Sequence, residues 1–427
     1  MKSAIAGVAL LFCAVRGAQA QSPSTKPAVP GSELTIYLMT MGPGDEAWEK
    51  FGHNAIWIHD TLRHTDIAYN WGLFDFNAKD FYPRFLKGDM LYSMGGFDAQ
   101  ETVDAYRQAN RTVWAQELNL APLERDEIRK FIEWNSLPQN RNYNYDYFRD
   151  NCSTRVRDVL DRALGGIIRS ASEETPTPTS YRWHTRRLTQ DASWIYFGTL
   201  LGLGHPVDHP ITRWEEMFLP VRLMKDIRSI NVRDSVGASV PLVKKEMTLF
   251  QSTRDPEAPT PSSHLIYYFL LGLILASAVV LLRRRIDADK SGRVGLLLLT
   301  GFWNFFIGIL GSALAALWLF TNHIYSYRNE NLLQANPISL LLAVLLFLSL
   351  RRKSDQPMAG VETGRVARIV GALAVIGFVI QILPGFDQVN GEIIALTLPV
   401  HLASAFALSR RELPFFQSTR HTSAFVR

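Results

Sequence analysis

Cysteine is scarce in this sequence: 427 residues contain two, Cys13 and Cys152. Cys13 lies in a segment with the marks of a secretory signal peptide, residues 1–20: Lys2, an apolar core from Ile5 to Val15, and Ala18-Gln19-Ala20 satisfying the small-x-small cleavage rule before Gln21. Phe12 is too bulky for a lipoprotein cleavage site, so Cys13 is expected to leave with the signal. One thiol then remains in a compartment where structural cysteines come in pairs, which excludes an internal disulfide. It is either a buried bystander or a nucleophile. Charge of one sign is also limited. The net charge is +5, and twelve basic residues border apolar runs: Arg283, Arg284, Arg285, Lys290, Arg293, Arg351, Arg352, Lys353, Arg365, Arg368, Arg410 and Arg411. The charge is topological, and nucleic acid is not expected as a partner. Clustered metal ligands are equally sparse. "GHPVDHP" (204–210) joins two histidines and an aspartate, but its prolines favour a loop or helix start, so neither metal nor other cofactor is expected. There is no internal repeat and no low-complexity tract.

What is present divides the chain. A polar, proline-containing lead-in (21–33) precedes a domain of water-soluble composition (34–253). A Pro/Ser linker, "RDPEAPTPSSH" (254–264), leads to a region of apolar runs (265–410), and residues 411–427 form a polar tail. Five spans are expected: Leu265 to Leu282, Val294 to Phe320, Pro337 to Leu350, Ile369 to Leu383 and Ile393 to Leu408. Arginine and lysine cluster at 283–293, 351–368 and from 409 onward, whereas 321–336 and 384–392 hold only Arg328. The positive-inside rule therefore puts the soluble domain outside, in the periplasm of a bacterial inner membrane protein, and the C-terminus in the cytoplasm.

Within the soluble domain, "LTIYLMT" (34–40), "NAIWIH" (54–59), "TDIAYNWG" (65–72) and "TVWAQELNL" (112–120) have the length and composition of strands. "GDEAWEKFG" (44–52) is expected to be a short helix, and Pro122 to Asn135 a helix opening on proline and acidic residues. The class is α+β.

Two segments carry chemistry. In "NYDYFRDNCSTRVRDVLD" (144–161), Val156, Val159, Leu160, Ala163 and Leu164 share a helical face with Cys152, and Asp150 or Asn151 can cap the helix. Cys152 then occupies a first turn, where unpaired N–H groups favour a thiolate and can bind an oxyanion. In "EKFGHNAIWIHD" (49–60), His53 is a candidate general base. A hairpin centred between Thr61 and Leu62 pairs residues whose numbers sum to 123 and sets His53 opposite Asn70, which would fix its tautomer. A one-residue slip would favour Asp66 or His64 instead. The tyrosines at 143, 145 and 147 with Phe148 are packing residues or the lining of an acyl groove. "SWIYFGTLLGLG" (193–204) is a buried helix or a membrane-surface contact. "TNHIYSYRNENLLQANP" (321–337) is a solvated turn or a headgroup contact through His323, Arg328, Asn329 and Asn331.

A histidine on one strand, a polar group on the next and Asn-Cys opening a helix resemble a circularly permuted papain-like fold, as in the lecithin:retinol acyltransferase group. More specifically, "FGHNAIWI", "AYNWG", "NRTVWAQELNL", "YNYDYFRDNCSTRVRD" and "DHPITRWEEMFLP", followed by five spans, resemble the Lnb family of bacterial lipoprotein N-acyltransferases. The resemblance implies a permuted papain-like cysteine domain followed by an all-α domain of five transmembrane helices. It also implies Cys152 as nucleophile, His53 as base, a phospholipid or diacylglyceryl lipid as acyl donor, and the N-terminal amine of a lipoprotein as acceptor. Without the resemblance, the residues also suit an exported cysteine hydrolase acting on cell-wall peptides, or a non-enzymatic envelope assembly protein.

Overall fold

A computed structural model describes residues 29–409 except 76, 235–236, 290 and 354–355; the expected signal peptide and C-terminal tail, and all but the end of the lead-in, lie outside the described residues. The extramembrane domain is built on a seven-stranded antiparallel sheet in the order β11-β5-β1-β2-β3-β4-β6. Its strands are β1 Leu34–Met41, β2 His53–Asp60, β3 Thr65–Leu73, β4 Leu91–Asp98, β5 Val113–Leu118, β6 Asn142–Asn144 and β11 Val243–Phe250. Two small ribbons pair β7 (Pro176–Ser180) with β8 (Pro210–Thr212) and β9 (Asn231–Arg233) with β10 (Ser239–Pro241). The helices are α1 Phe81–Lys87, α2 Ala99–Gln108, α3 Pro122–Asn135, α4 Cys152–Ala163, α5 Ile167–Ser172, α6 Tyr181–Thr189, α7 Ser193–Gly202, α8 Arg213–Glu216 and α9 Pro220–Asp226.

Side-chain alternation decides what each sheet face packs against. Ile36, Leu38, Ile56 and Ile58 point to the face covered by α3, α4 and α9, and form one core with Ile128, Ile132, Val156, Val159, Leu160 and Leu223. Met39, Met41, Ala55 and Ala68 point to the other face and meet Ala99 and Val103 of α2. The segment 44–52 is a series of turns, not the expected helix: Gly42, Pro43 and Gly44 open it, and Gly52 ends it at φ +81°. The β2–β3 register also differs from expectation. Ala55 pairs with Asn70 and Asp60 with Thr65, so residue numbers sum to 125. The reason is the turn: Asp60 Oδ1 accepts from the amides of Leu62 and Arg63, and His64 takes a left-handed conformation at φ 55°, making a four-residue connection. An offset of two leaves every side chain on its expected face.

Among the described residues, five helices are long and apolar enough to cross a membrane: Leu265–Ala288, Arg293–Phe320, Glu330–Ser349, Val361–Ile382 and Gly391–Ser409. They contain α10 (Leu265–Asp289), α11 (Arg293–Phe320), α12 (Ile338–Ser349), α13 (Val361–Val379) and α14 (Gly391–Ser409). The fourth begins eight residues before the expected Ile369, because Thr363, Gly364, Val366, Ala367 and Val370 keep a buried helical face while Arg365 and Arg368 stay exposed.

The domain is clamped to one end of this bundle. Tyr196, Leu200 and Leu201 of α7 pack with Ile307, Leu314, Ala335 and Ile393. The Glu392 carboxylate receives the Tyr196 hydroxyl at 2.9 Å, the Arg186 guanidinium at 3.0 Å and the His264 amide at 2.9 Å. His205 meets Asp387 at 2.7 Å, while Asp208 meets Arg182 at 2.7 Å; "GHPVDHP" is thus a docking element. The Pro/Ser linker is pinned to the domain, through Arg254–Asp45 at 2.6 Å and Glu257–Arg187 at 2.9 Å.

Candidate active site

Cys152 is the first residue of α4, and its neighbours show why the helix starts there. Asn151, of the two candidate caps, takes the role: its Oδ1 accepts from Ser153 N (2.9 Å) and Thr154 N (3.0 Å), while Thr154 Oγ1 accepts from Asn151 N (2.8 Å). Asn151 Nδ2 donates to the carbonyls of Tyr147 and Phe218. Ser153 Oγ donates to Met217 O (2.7 Å) and accepts from Asn54 Nδ2 (3.0 Å), and Thr40 Oγ1 donates to Asn54 Oδ1 (2.8 Å). In the Asn-Cys-Ser-Thr block, Asn151 and Thr154 cap the helix start and Ser153 ties it to β2 and, through Asn54, to β1. The thiol between them is left for other work.

That clasp sets the first turn of α4 against the beginning of β2. The amide of Asn54 faces the thiol, as do the amides of Cys152 and Ser153, and His53 is the residue before Asn54. On the neighbouring strand, Gly72 bulges out of register at φ +93°, with its open Cα face against Cys152 Cβ and the Tyr145 ring. His53 Nε2 lies 3.0 Å from Asn70 Oδ1. Asn70 Nδ2 donates to Ala68 O at 2.9 Å, which orients the amide so that its oxygen faces the imidazole. An amide oxygen only accepts, so Nε2 carries the hydrogen and Nδ1 keeps the free lone pair of a base. The His53–Asn70 contact expected from the sequence is present, as a diagonal neighbour and not as a directly opposed pair. Asp66 instead holds His59 and Trp57, and His64 sits in the turn.

Electrostatics modify the expected thiolate. Burial pushes the Cys152 thiol above its ordinary value; the amides of Asn54, Ser153 and Cys152 and the charge of Arg111 oppose this without overcoming it. Burial likewise pushes His53 down to about 4, against the bond to Asn70 and with the help of Arg111. In the free protein the pair is thus neutral thiol and neutral imidazole, and not the ion pair that the helix terminus alone would suggest. Arg111 is a component that sequence reasoning missed. It is buried, donates to Gly42 O and Glu49 (both 2.9 Å), and lies over the Tyr106 ring, which in turn stacks on His53 with ring centres 6.4 Å apart. Nothing in the local pattern marks Arg111 or Tyr106, because they come from the end of α2 and the turn after it, some fifty residues along the chain from His53. Among the described residues no cluster of three or more potential metal ligands occurs.

The four loop residues divide. His323 bridges two elements, accepting from the Tyr147 hydroxyl at Nδ1 (2.5 Å) and donating from Nε2 to Phe85 O (2.9 Å). Arg328 is exposed, at φ 49°, and reaches Gly385 O. Asn329 and Asn331 are buried, and their amides donate to the carbonyls of Leu200, Leu201 and Gly202 at the end of α7. These two occupy their donors on protein, where an outward headgroup contact was expected. Tyr325 enters the extramembrane domain, donating to Asp146 (2.9 Å) and packing with Phe148, Tyr181 and Phe218. The loop is therefore a clamp on the segment leading into Cys152, and not a solvated turn.

Fold and site together define a membrane protein whose α+β domain carries a helix-terminal cysteine faced by the Asn54 amide and, on the strand that holds Asn54, a histidine paired with an asparagine. Residues 21–187, about two fifths of the chain, match the family model described as the Lnb N-terminal periplasmic domain. This match supports the Lnb family and covers most of the extramembrane domain, as for a membrane protein with a periplasmic domain. No curated protein and no solved structure gives a significant match.

Proposed function

We propose that this protein is a thiol acyltransferase of lipoprotein maturation, with a permuted papain-like catalytic domain at the outer face of the inner membrane and a cytoplasmic C-terminus. The observation that carries the proposal is the placement of Cys152: a buried thiol at a helix N-terminus, faced by the Asn54 amide, on a domain clamped to five spans. His53 Nδ1 takes the thiol proton as Sγ attacks the ester carbonyl carbon of a phospholipid or diacylglyceryl donor, and the amides at the α4 terminus and Asn54 stabilise the oxyanion. The C–O bond breaks, and the proton held by His53 passes to the departing alkoxide, leaving an acyl thioester on Cys152. The α-amino group of a lipoprotein's N-terminal cysteine then attacks the thioester, forming a C–N bond as the C–S bond breaks, and its proton returns to the thiol through His53. Asn70 positions His53. Because the resting pair is neutral, proton transfer accompanies attack. His323, which joins the loop to the domain through Tyr147 and Phe85, and the exposed Arg328 are the loop residues proposed to meet donor and acceptor.

The test supplies the protein, in detergent, with a phospholipid radiolabelled in its acyl chains and a diacylglyceryl lipopeptide with a free N-terminus. Label in an N-acyl lipopeptide, dependent on Cys152, is expected. Label released only as free fatty acid, or cleavage of the peptide, would replace the proposal with a hydrolase.

A further inference from the structure

The domain carries an open cavity of about 270 Å³ whose walls are mostly apolar, with Leu73, Phe74, Phe81, Phe85, Met90 and Tyr92, but also include Asp75, Asp80 and Arg84. A cavity of about 150 Å³ holds one benzene ring, so this one holds a stretch of hydrocarbon on the order of ten carbons. Its Tyr92 wall is separated from Cys152 by one further aromatic ring. Tyr92 stacks on Tyr145 with ring centres 4.3 Å apart, and Tyr145 and Cys152 are the two groups facing Gly72, the residue before Leu73. A side chain at Gly72 would meet both, at 4.0 Å and 3.7 Å, in a conformation that favours glycine. Glycine at this bulge thus keeps the space between Leu73 and the thiol free of a side chain.

The outer end is built by α1, whose sequence "FYPRFLK" presents apolar residues both inward and outward. Phe81 and Phe85 line the cavity, while Tyr82 and Leu86 are 64% and 68% exposed. α1 is fastened to the domain-side end of α11: Asn322 N donates to Lys87 O and Asn322 Nδ2 to Asp89, both at 2.7 Å, and His323 donates to Phe85 O. The fit is close enough that Gly88, at φ +86°, would place any Cβ 2.9 Å from the Asn322 carbonyl carbon. Leu319 and Phe320, the last residues of α11, are 68% and 78% exposed. A helix fixed at the end of a span, with aromatic and aliphatic residues outward, lies where headgroups meet acyl chains.

We infer that this cavity is the acyl-chain site: one fatty acyl chain of a membrane lipid enters past α1 and lies along Phe85, Phe81, Phe74 and Leu73, with its ester at Cys152. The occupant is hydrocarbon because aromatic and aliphatic side chains make up most of the lining, with Asp75, Asp80 and Arg84 beside Phe74, Phe81 and Phe85, and because α1 is fastened to the end of a spanning helix. The inference rests on the acyl-transfer proposal and adds what selects the chain: the depth between Leu73 and α1.

The test uses the full-length protein in nanodiscs with a phosphatidylethanolamine carrying a diazirine on one acyl chain. Mass spectrometry follows both the acyl thioester on Cys152 and the sites of photo-crosslinking. Expected are a Cys152 thioester and crosslinks to residues 73–93. A thioester with crosslinks confined to α7 or the lipid-facing spans overturns the acyl site and leaves acyl transfer standing. Absence of any thioester removes the acyl-transfer proposal and this one with it. Independently, Leu73→Trp shortens the cavity. The ratio of kcat/KM for a 16-carbon over an 8-carbon donor should fall about tenfold or more, as expected when two or more methylenes lose their burial. An unchanged ratio in an active variant overturns the assignment.

Discussion

The environment of His53 gives the sharpest expectation. Burial and Arg111 hold the imidazole down to about 4, and only Asn70 pulls it up. The base must be unprotonated to accept the thiol proton, so the rate of Cys152 acylation should stay level as pH falls through 6.5 and decline only near 4. In Asn70→Asp a carboxylate replaces the amide oxygen 3.0 Å from Nε2. An opposite charge at that range raises a pKa by roughly 1–3 units, each worth about 1.4 kcal/mol, so the acid limb should move toward neutrality. The variant also loses the Asn70 donation to Ala68 O, which costs about 1–2 kcal/mol of stability without moving the limb. Stability carries the same sign. The folded value lies below the unfolded one, so the unfolded chain binds more protons between about 4 and 6.5 and wild-type stability falls as pH falls through that window. Asn70→Asp should flatten this slope. The assay is acylation of Cys152 by a soluble activated acyl ester from pH 3.5 to 8 in detergent, with thermal unfolding in parallel. An acid limb at 6.5 in the wild type, unmoved by Asn70→Asp, would mean that the imidazole is solvated and that neither burial nor Arg111 governs it.

Other substitutions probe the surrounding construction. Cys152→Ser should fold with unchanged thermal stability and lose nearly all transfer, since an imidazole cannot ionise a hydroxyl as it does a thiol; full turnover would remove the residue from the mechanism. Asn54→Ala breaks the Thr40–Asn54–Ser153 chain and should cost about 1–3 kcal/mol in chemical denaturation while slowing small-reagent alkylation of Cys152. Glu392→Ala leaves Arg186 without its partner at the docking surface and should destabilise the protein by about 3 kcal/mol or more, whereas a surface-pair loss would be under about 1 kcal/mol. Reporter fusions after Arg293 and Lys353 should be cytoplasmic, and fusions at Asn329 and Gln388 periplasmic; the opposite pattern would invert the bundle.

Much of this architecture is legible in the chain because it is written locally. α3 follows from Pro122, Glu124 and the apolar period, and α4 from Asn151 and the Val156–Leu160 face. The five spans follow from length and hydropathy, although the start of the fourth is hidden by arginines that leave its buried face intact. The His53–Asn70 contact survives a register error because that error is an even number of residues. What the chain does not disclose is long-range: Arg111 and Tyr106 beside His53, α1 joined to Asn322, and Asn329 and Asn331 turned onto α7 instead of outward. Nor does composition show that desolvation outweighs a helix terminus at Cys152. That balance depends on how many atoms cover the sulfur.

The central claim is that a lipid acyl chain passes through Cys152. The most direct test is to incubate the purified protein with a phospholipid of defined acyl composition and no acceptor, quench in acid, and determine the mass of the Cys152 peptide. Expected is a mass increase equal to one fatty acyl group, sensitive to neutral hydroxylamine and lost on adding a lipopeptide amine. A Cys152 peptide of unmodified mass under conditions where lipopeptide is nevertheless N-acylated would contradict it.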